Sequence, residues 1–398
     1  CITLAEVLKA EGFTTAIRGK WHLTPSNRVP DDAWPTNRGF DTFWGTMTGC
    51  GTYYQPGTLT RGTENIDHEA DREGFFYTDV IADQSVDFLK SHKTESPDKP
   101  YFLYVPFTAP HWPLHAREKT IAEYDGVYEA GWDKLRETRL QRQKELGLLP
   151  EYLELSPRDE GVPSWENEAH KEWQVRCMQV YAAMVTEMDR AIGQILEQIR
   201  ANGDWEDTVI LFMSDNGASA DPMPLTELQY WRQRTDILRH KTKDGRDVRI
   251  GNDPLTMPGG EDTYLSYGRG WANLSNTPFK LFKLWTHEGG VATPFIAHWP
   301  QGNLRTGEIF EQPFQLTDVM PTLLELLGAQ YPSERAGVPL PPLAGQSMFG
   351  TWKGADVGNP TLWWEHCGNA AIRSGQWKLV RQYDCPWELY DIAVDRSE

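Results

Sequence analysis

The run Thr208 to Gly217, TVILFMSDNG, constrains the fold more than any other stretch. Val209, Ile210, Leu211, Phe212 and Met213 are continuously apolar, which predicts a strand buried on both faces rather than one alternating between core and water. Such a strand belongs in a sheet with helices on either side. The run stops at Ser214-Asp215-Asn216-Gly217, a small polar cluster with turn chemistry. At the carboxyl end of a central strand in an open α/β sheet, Asp215 and Asn216 offer two hard oxygens to a cation. The competing reading is an Asx-turn that satisfies only its own backbone.

The rest of the chain is patterned to match. Thr3 and Glu6 form a capping box for a helix that Gly12 stops. Phe13 to Gly19 is a short β-leaning segment that delivers Gly19-Lys20-Trp21-His22. Residues 25–56, rich in Gly, Pro, Asn and Asp, predict a long ordered loop. Thr78 is placed to cap the next helix, and Tyr101 to Phe107 is a second apolar strand, ending in Thr108-Ala109-Pro110-His111-Trp112-Pro113-Leu114. Charged residues 115–165 predict a partly helical insertion. Val185, Met188, Ile192, Ile195 and Ile199 mark one face of a helix over 180–201, stopped by Asn202-Gly203.

Residues 218–276 predict loop, and Thr293 to Trp299 another strand. A helix from Thr317 to Leu327 ends at Gly328, a proline-rich stretch over 332–342 reads as a linker, and residues 371–380 turn at Ser374-Gly375 as a hairpin. Strands alternating with helices predict an α/β fold: a large, mostly parallel sheet between helices, with the loaded clusters gathered along one edge. The expected division is a catalytic domain over 1–350 and a small antiparallel C-terminal subdomain over 351–398.

Composition excludes some partners. The 57 acidic residues outnumber the 39 basic ones, leaving a net charge of −18, which opposes binding to nucleic acid or an anionic membrane surface. An anionic substrate therefore needs a local cationic pocket. No apolar run is long enough for a membrane-spanning helix, so no membrane insertion is expected. The five cysteines lack CxxC spacing and are odd in number, which indicates neither a zinc site nor a complete disulfide framework. The abundant aromatic residues fit core packing, or the lining of sugar or aryl pockets.

Lys20, His22, His111 and Lys283, the last within LFKLWTHEGG, stand beside Asp215 and Asn216 as candidate functional residues. Each has an ordinary alternative: a solvated surface lysine, or a packed histidine among Trp and Pro. Taken together, TLAEVLKAEGFTTAIRGKWHL, RGFDTFWG, TAPHWPLHA, YAAMVTEMDRAIGQIL, SDNG and KLWTHEGGVATPFIAHWP resemble the sulfatase family of the alkaline-phosphatase-like superfamily, with bacterial arylsulfatases the nearest in flavour. The likeness extends over most of the chain, through WKLV and ELYD.

The resemblance implies that Asp215 and Asn216 ligate one Ca²⁺ and that Lys20 and Lys283 hold sulfate oxygens. It also implies that His22 orients the nucleophile and that His111 serves as acid for the leaving alcohol. These roles suit hydrolysis of a small-molecule or carbohydrate sulfate ester, which needs charge on the sulfuryl oxygens neutralised and a proton delivered to an alkoxide.

The sequence departs from the family in one respect. The family's nucleophile is a formylglycine made from the cysteine of C-x-[PA]-x-R, and an upstream Asp-Asp pair completes its calcium site. No cysteine here stands in that motif: Cys1 begins Cys-Ile-Thr-Leu-Ala and Cys50 is followed by Gly-Thr-Tyr-Tyr. The expectation is a chain truncated at its N terminus, inactive as it stands and weak in calcium affinity. The parent enzyme is expected to be periplasmic or secreted, with a cytoplasmic location as the alternative. A phosphate or phosphonate ester hydrolase of the same superfamily, or a non-catalytic sulfated-glycan binder, are the competing functions.

Overall fold

The computed structural model describes residues 1–398. Helix α1 (Leu4–Ala10) opens as its capping box requires: the Glu6 N–H donates to the Thr3 hydroxyl at 3.1 Å, and the Thr3 N–H donates to the Glu6 carboxylate at 2.7 Å. β1 (Thr14–Arg18) follows and takes the interior of a five-stranded sheet. It is joined by β2 (Thr42–Thr46), β3 (Leu59–Arg61), β4 (Glu64–Asn65) and β5 (Tyr101–Tyr104), in the order β4-β3-β2-β1-β5. β2 and β5 run parallel to β1, while β3 and β4 double back. The expected loop over 25–56 thus contains a strand. Thr42-Phe43-Trp44 has β-forming residues, but their register against Ala16, Ile17 and Arg18 is set by contacts remote in sequence.

Helices cover both faces of β1. α2 (Tyr77–Glu95) begins one residue before Thr78, so Thr78 lies inside the first turn and does not cap it. α3 (Glu118–Ile121) and α4 (Gly131–Glu145) form the charged insertion. α5 (Lys171–Ala201) begins well before Val180; Ile195 and Ile199 are buried, whereas Val185 faces solvent and Ala183 and Met184 take the inward positions. On one face Ala16 packs with Phe88, Leu89, Ile195 and Ile199; on the other, Ile17 packs with Ala5, Trp21 and Phe43. Successive strand residues point to opposite faces, which is why adjacent Ala16 and Ile17 join different cores.

β6 (Ile210–Met213) corrects an expectation. The strand predicted to be buried on both faces is half-buried, and Phe212 is 37% exposed. Residues 218–276, expected to be loop, carry α6 (Leu228–Gln233), the two-residue strands β7 (Arg249–Ile250) and β8 (Thr263–Tyr264), and α7 (Gly268–Ser275). They also supply the fully buried Tyr264, Leu265 and Trp271. After α8 (Glu288–Val291), β9 (Phe295–His298) pairs with β6 in antiparallel register. β6 has no other partner and β5 pairs only with β1. The sheet is therefore in two parts, its parallel pairing confined to β2-β1-β5, with a cleft of about 2010 Å³ between them.

α9 (Val319–Leu327) ends at Gly328 in the left-handed region, as expected. The proline-rich stretch holds a small hairpin, β10 (Glu334–Arg335) with β11 (Val338–Pro339), and α10 (Phe349–Trp352) follows. The chain closes with an antiparallel meander: β12 (Leu362–His366), β13 (Asn369–Ser374), β14 (Trp377–Arg381) and β15 (Glu388–Asp391). Gly375, at φ 58°, turns β13 into β14 where the hairpin was predicted. No helix is long and apolar enough to cross a membrane.

Candidate active site

The carboxyl ends of β1, β5 and β6 open toward the same cleft. Immediately after β1 the Lys20 N–H donates to the Pro106 carbonyl at 2.9 Å, tying Lys20 to the end of β5. His22 follows at φ 58°, a left-handed conformation uncommon for a residue with a side chain. Its N–H donates to the Met47 carbonyl at 3.1 Å, and its ring lies against Gly49, where a β-carbon would stand 2.3 Å from the ring atoms. His111 sits in the loop after β5. Asp215 and Asn216 turn away from the end of β6.

Lys283 lies between α7 and α8, and its N–H donates to the Ala218 carbonyl at 2.9 Å. It is flanked by Leu281 and Leu284, both at positive φ (64° and 88°), so the segment is held in a strained conformation by its surroundings. One residue that the sequence did not single out does much of this holding. Asn276 accepts the Ala218 N–H at 2.9 Å and donates to the Leu281 and Gly289 carbonyls at 2.8 and 2.7 Å, joining the loops that follow β6 and α7. The Gly217 N–H donates to the Gly290 carbonyl at 3.0 Å. A β-carbon at Gly217 would lie 1.8 Å from the Gly289 carbonyl oxygen, so only glycine allows this approach.

Lys20, His111, Asp215, Asn216 and Lys283 all line the cleft; His22, an exposed residue, is not part of its lining. Their mutual fields show the proximity. Burial lowers the Lys20 pKa, Asp215 opposes that shift and Lys283 adds to it. The His22 pKa is lowered by burial and by the positive charges of Lys20, Lys283 and Arg234, with Asp215 acting the other way. Arg234 is a second residue absent from the sequence reading, because nothing in its local pattern marks it. It forks onto Asp236 at 2.9 and 3.0 Å. Inside a molecule of charge −18, this pocket is locally cationic.

Burial pushes His111 down to about 4, against the raising effect of its bond to the Trp112 carbonyl; Lys283 and Lys20 push it further. At neutral pH the ring is therefore uncharged. Nδ1 lies 2.8 Å from the Trp112 carbonyl oxygen, which assigns its proton to Nδ1 and leaves a lone pair on Nε2. The Tyr53 hydroxyl donates to the His111 carbonyl at 2.8 Å and fixes the backbone.

The Asp215 carboxylate has no hydrogen-bond or ion-pair partner. Asn216 donates through Nδ2 to the Gly217 carbonyl at 2.8 Å, leaving Oδ1 without one. These are hard oxygens of the type calcium takes. They are two of the six to eight such a site requires, and no group of three or more His, Cys, Asp or Glu stands ready to hold a metal. All five cysteines are free. Cys50, nearest the site, is half-buried and desolvation pushes its thiol up to about 12, which makes it a poor nucleophile.

Comparisons with known proteins identify the family. The sulfatase profile matches residues 2–329, and the profile of the C-terminal part of N-sulphoglucosamine sulphohydrolase matches residues 279–398. An uncharacterised sulfatase of Schizosaccharomyces pombe is 32% identical over 99% of this chain and 72% of its own length. An arylsulfatase of Klebsiella aerogenes is 31% identical over 87% of this chain and 72% of its own.

Among solved structures, Ps i-CgsB in complex with k-i-k-neocarrahexaose superposes with a TM-score of 0.62 at 22% identity, covering 99% of this chain and 68% of that one. BT4656 with D-glucosamine-2-N,6-O-disulfate gives 0.61 at 19%, over 99% and 76%. These two likenesses show the fold. The family match spans most of the chain and both sheets, and the chain belongs to the sulfatase family, hydrolases of sulfuric esters.

Proposed function

We propose that this pocket binds the sulfate group of a carbohydrate sulfate ester and hydrolyses it to sulfate and the free hydroxyl. The observation that carries the proposal is the pair of half-buried lysines, Lys20 and Lys283, brought beside Asp215 and Asn216 within an otherwise acidic protein. The two ammonium groups neutralise charge on the sulfuryl oxygens, and partial burial strengthens them relative to water. Ca²⁺ bound at Asp215 and Asn216 would supply Lewis-acid polarisation of a sulfuryl oxygen. His22, held over Gly49, orients the attacking group. Neutral His111 presents Nε2 toward the leaving oxygen. An anionic ester bound beside it favours the protonated ring, so His111 becomes an acid with substrate present.

None of this chain's cysteines has the sequence context of a formylglycine. The working division is a catalytic unit over 1–350 and a C-terminal unit over 351–398. A carbohydrate is preferred over an aryl leaving group because relatives include N-acetylgalactosamine-6-sulfatase of Rattus norvegicus, 24% identical over 98% of this chain. In the complete enzyme, Lys283→Ala is expected to raise the barrier to sulfate-ester hydrolysis by about 2.7 to 4 kcal/mol. Steady-state assays on matched sulfated sugar, aryl sulfate and aryl phosphate measure this and the preference together. An unchanged rate in Lys283→Ala removes it from the sulfate site, and a preference for phosphate overturns the substrate assignment.

A further inference from the structure

Beside His22 lies a group of arginines that does not line the cleft. The loop that follows His22 carries Asn27 and Arg28. Asn27 donates through Nδ2 to the Asp236 carboxylate at 3.3 Å, and Arg234 already forks onto the same carboxylate. Residues 236–237 in turn pack along the stretch after Gly49, which seats the His22 ring. The Thr52 N–H donates to the Ile237 carbonyl at 3.4 Å, and a β-carbon at Gly57 would stand 2.3 Å from the Asp236 carbonyl oxygen. Arg239 comes directly after the buried Ile237 and Leu238. These arginines are therefore fixed to the same backbone that holds His22.

Arg28 and Arg239 converge on one atom. Nη1 of Arg28 lies 3.7 Å and Nη2 of Arg239 3.8 Å from Asp67 Oδ2, both beyond hydrogen-bond length. The other oxygen of Asp67 is committed to the Leu59 N–H at 2.7 Å. Neither guanidinium donates a hydrogen bond to any group of the chain, and Nε of Arg239 is buried without an acceptor. Arg234 shows the contrast: two of its nitrogens bond Asp236 and the third bonds the Tyr230 hydroxyl.

Side-chain exposures of 50% for Arg28 and 37% for Arg239 leave both open to a ligand. Burial raises the Asp236 pKa, yet Arg234 and Arg28 help bring it below its usual value, so the field of Arg28 reaches the residues beside His22. Three guanidiniums share two carboxylates, a local positive excess in a molecule of charge −18.

We propose that Arg28 and Arg239 form a second anion site, which takes a carboxylate or a further sulfate group carried by the same carbohydrate whose ester lies at Lys20 and Lys283. The planar fork of a guanidinium pairs with either oxyanion, and donors with no acceptor in the chain gain these bonds without giving others up. A neutral sugar or an aryl group meets no partner there. The substrate class is accordingly a sugar chain bearing more than one anion. The assignment rests on the carbohydrate-sulfate reading for the first sulfate, and on the geometry of Arg28, Arg239 and Asp67 for the second anion.

Calorimetric titration tests it. The 398-residue protein receives three disaccharides that share one sulfate ester and differ in the neighbouring ring, which is neutral, carboxylated or sulfated. At least one dianionic sugar is expected to bind about 10-fold or more tightly than the neutral-ring sugar, and the one that does so identifies the anion. Arg28→Gln and Arg239→Gln each remove most of that advantage. Arg190→Gln, which removes the same charge from an outer ion pair of α5, preserves it.

Equal affinity for all three sugars overturns the proposal. So does an advantage that survives both substitutions, or one that Arg190→Gln removes equally. Sulfate release from the same sugars is measured separately with the complete enzyme. Tighter dianion binding without release removes the ester assignment and keeps the anion site, whereas release without tighter binding does the reverse.

Discussion

His22 shows how tightly single residues are determined in this site. Its ring rests where any side chain at Gly49 would be, with the built β-carbon 2.3 Å from the imidazole. Gly49→Ala must therefore displace the ring or the backbone at φ 58° that carries it. A destabilisation of about 1–3 kcal/mol is expected from overpacking, together with a shift of the His22 imidazole nitrogen resonances and no change in those of distant His92. Wild-type resonances in the variant would show that Gly49 does not seat the ring. Asn276 makes the complementary point. A single amide holds three backbone groups from two loops, and its role was invisible in the sequence because Ser-Asn-Thr-Pro reads as an ordinary turn.

At the scale of elements, the C-terminal meander is coupled to the active site through buried charge. Lys378 of β14 is wholly buried and reaches Glu288, the first residue of α8, at 2.9 Å and Glu398 at 2.8 Å. Arg396 meets Glu288 from the other side at 3.0 Å. These cations hold the Glu288 carboxyl below the usual carboxylate range against the cost of its burial, while burial and the charge of Glu288 push Glu398 up. The residues that follow Glu288 are Gly289 and Gly290, whose carbonyls take the Asn276 amide and the Gly217 N–H. A line of contacts thus runs from β14 through α8 to the loop bearing Asp215 and Asn216.

Lys378→Met leaves Glu288 less compensated, and the expected loss is about 3–5 kcal/mol in urea unfolding. Faster exchange of the Gly217 amide in the still-folded variant would mark the loosened loop. Wild-type stability with unaltered Gly217 exchange would remove this coupling.

For the molecule as a whole, buried histidines set the acid limit of stability. His115 is fully buried; its Nε2–H donates to the Thr263 carbonyl at 2.6 Å, and Nδ1 accepts the Tyr53 N–H at 3.3 Å. Burial pushes it, like His111 and His287, down to about 4 from an ordinary 6.5. Between those values the unfolded chain binds protons that the folded chain does not, so stability rises with pH across that window and is fully present above it. Below about 4 both states are protonated and this contribution is flat. His115 alone accounts for roughly 3 kcal/mol over the interval. Urea midpoints measured from pH 7 to pH 4 are expected to fall, and His115→Asn should reduce the slope by about one proton. A pH-independent midpoint would contradict the buried, neutral assignment.

Short-range chemistry was legible in the sequence. The Thr3–Glu6 box, the stop at Gly328 and the turn at Gly375 each depend on residues within a few positions of one another, so local pattern suffices. The order of strands and helices, and the placement of Lys20, His111 and Asp215 just beyond strand ends, followed from the same periodicities. What local pattern could not supply was pairing. Phe43 and Trp44 lie in a Gly- and Pro-rich stretch and become a strand only against Ile17 and Arg18. Val209 to Met213 carries the composition of a doubly covered strand, yet its neighbours come from β9 on one side and, within residues 1–398, from none on the other.

The sequence by itself determined the longer helices, the apolar strands and the residue types at their ends, because capping, turns and apolar periodicity act over a few residues. Only the tertiary structure decided that Asn276 binds the site loops, that Lys378 meets Glu288 and that His111 is neutral. Each of those depends on burial and on the fields of groups tens to hundreds of residues away, which local sequence does not encode.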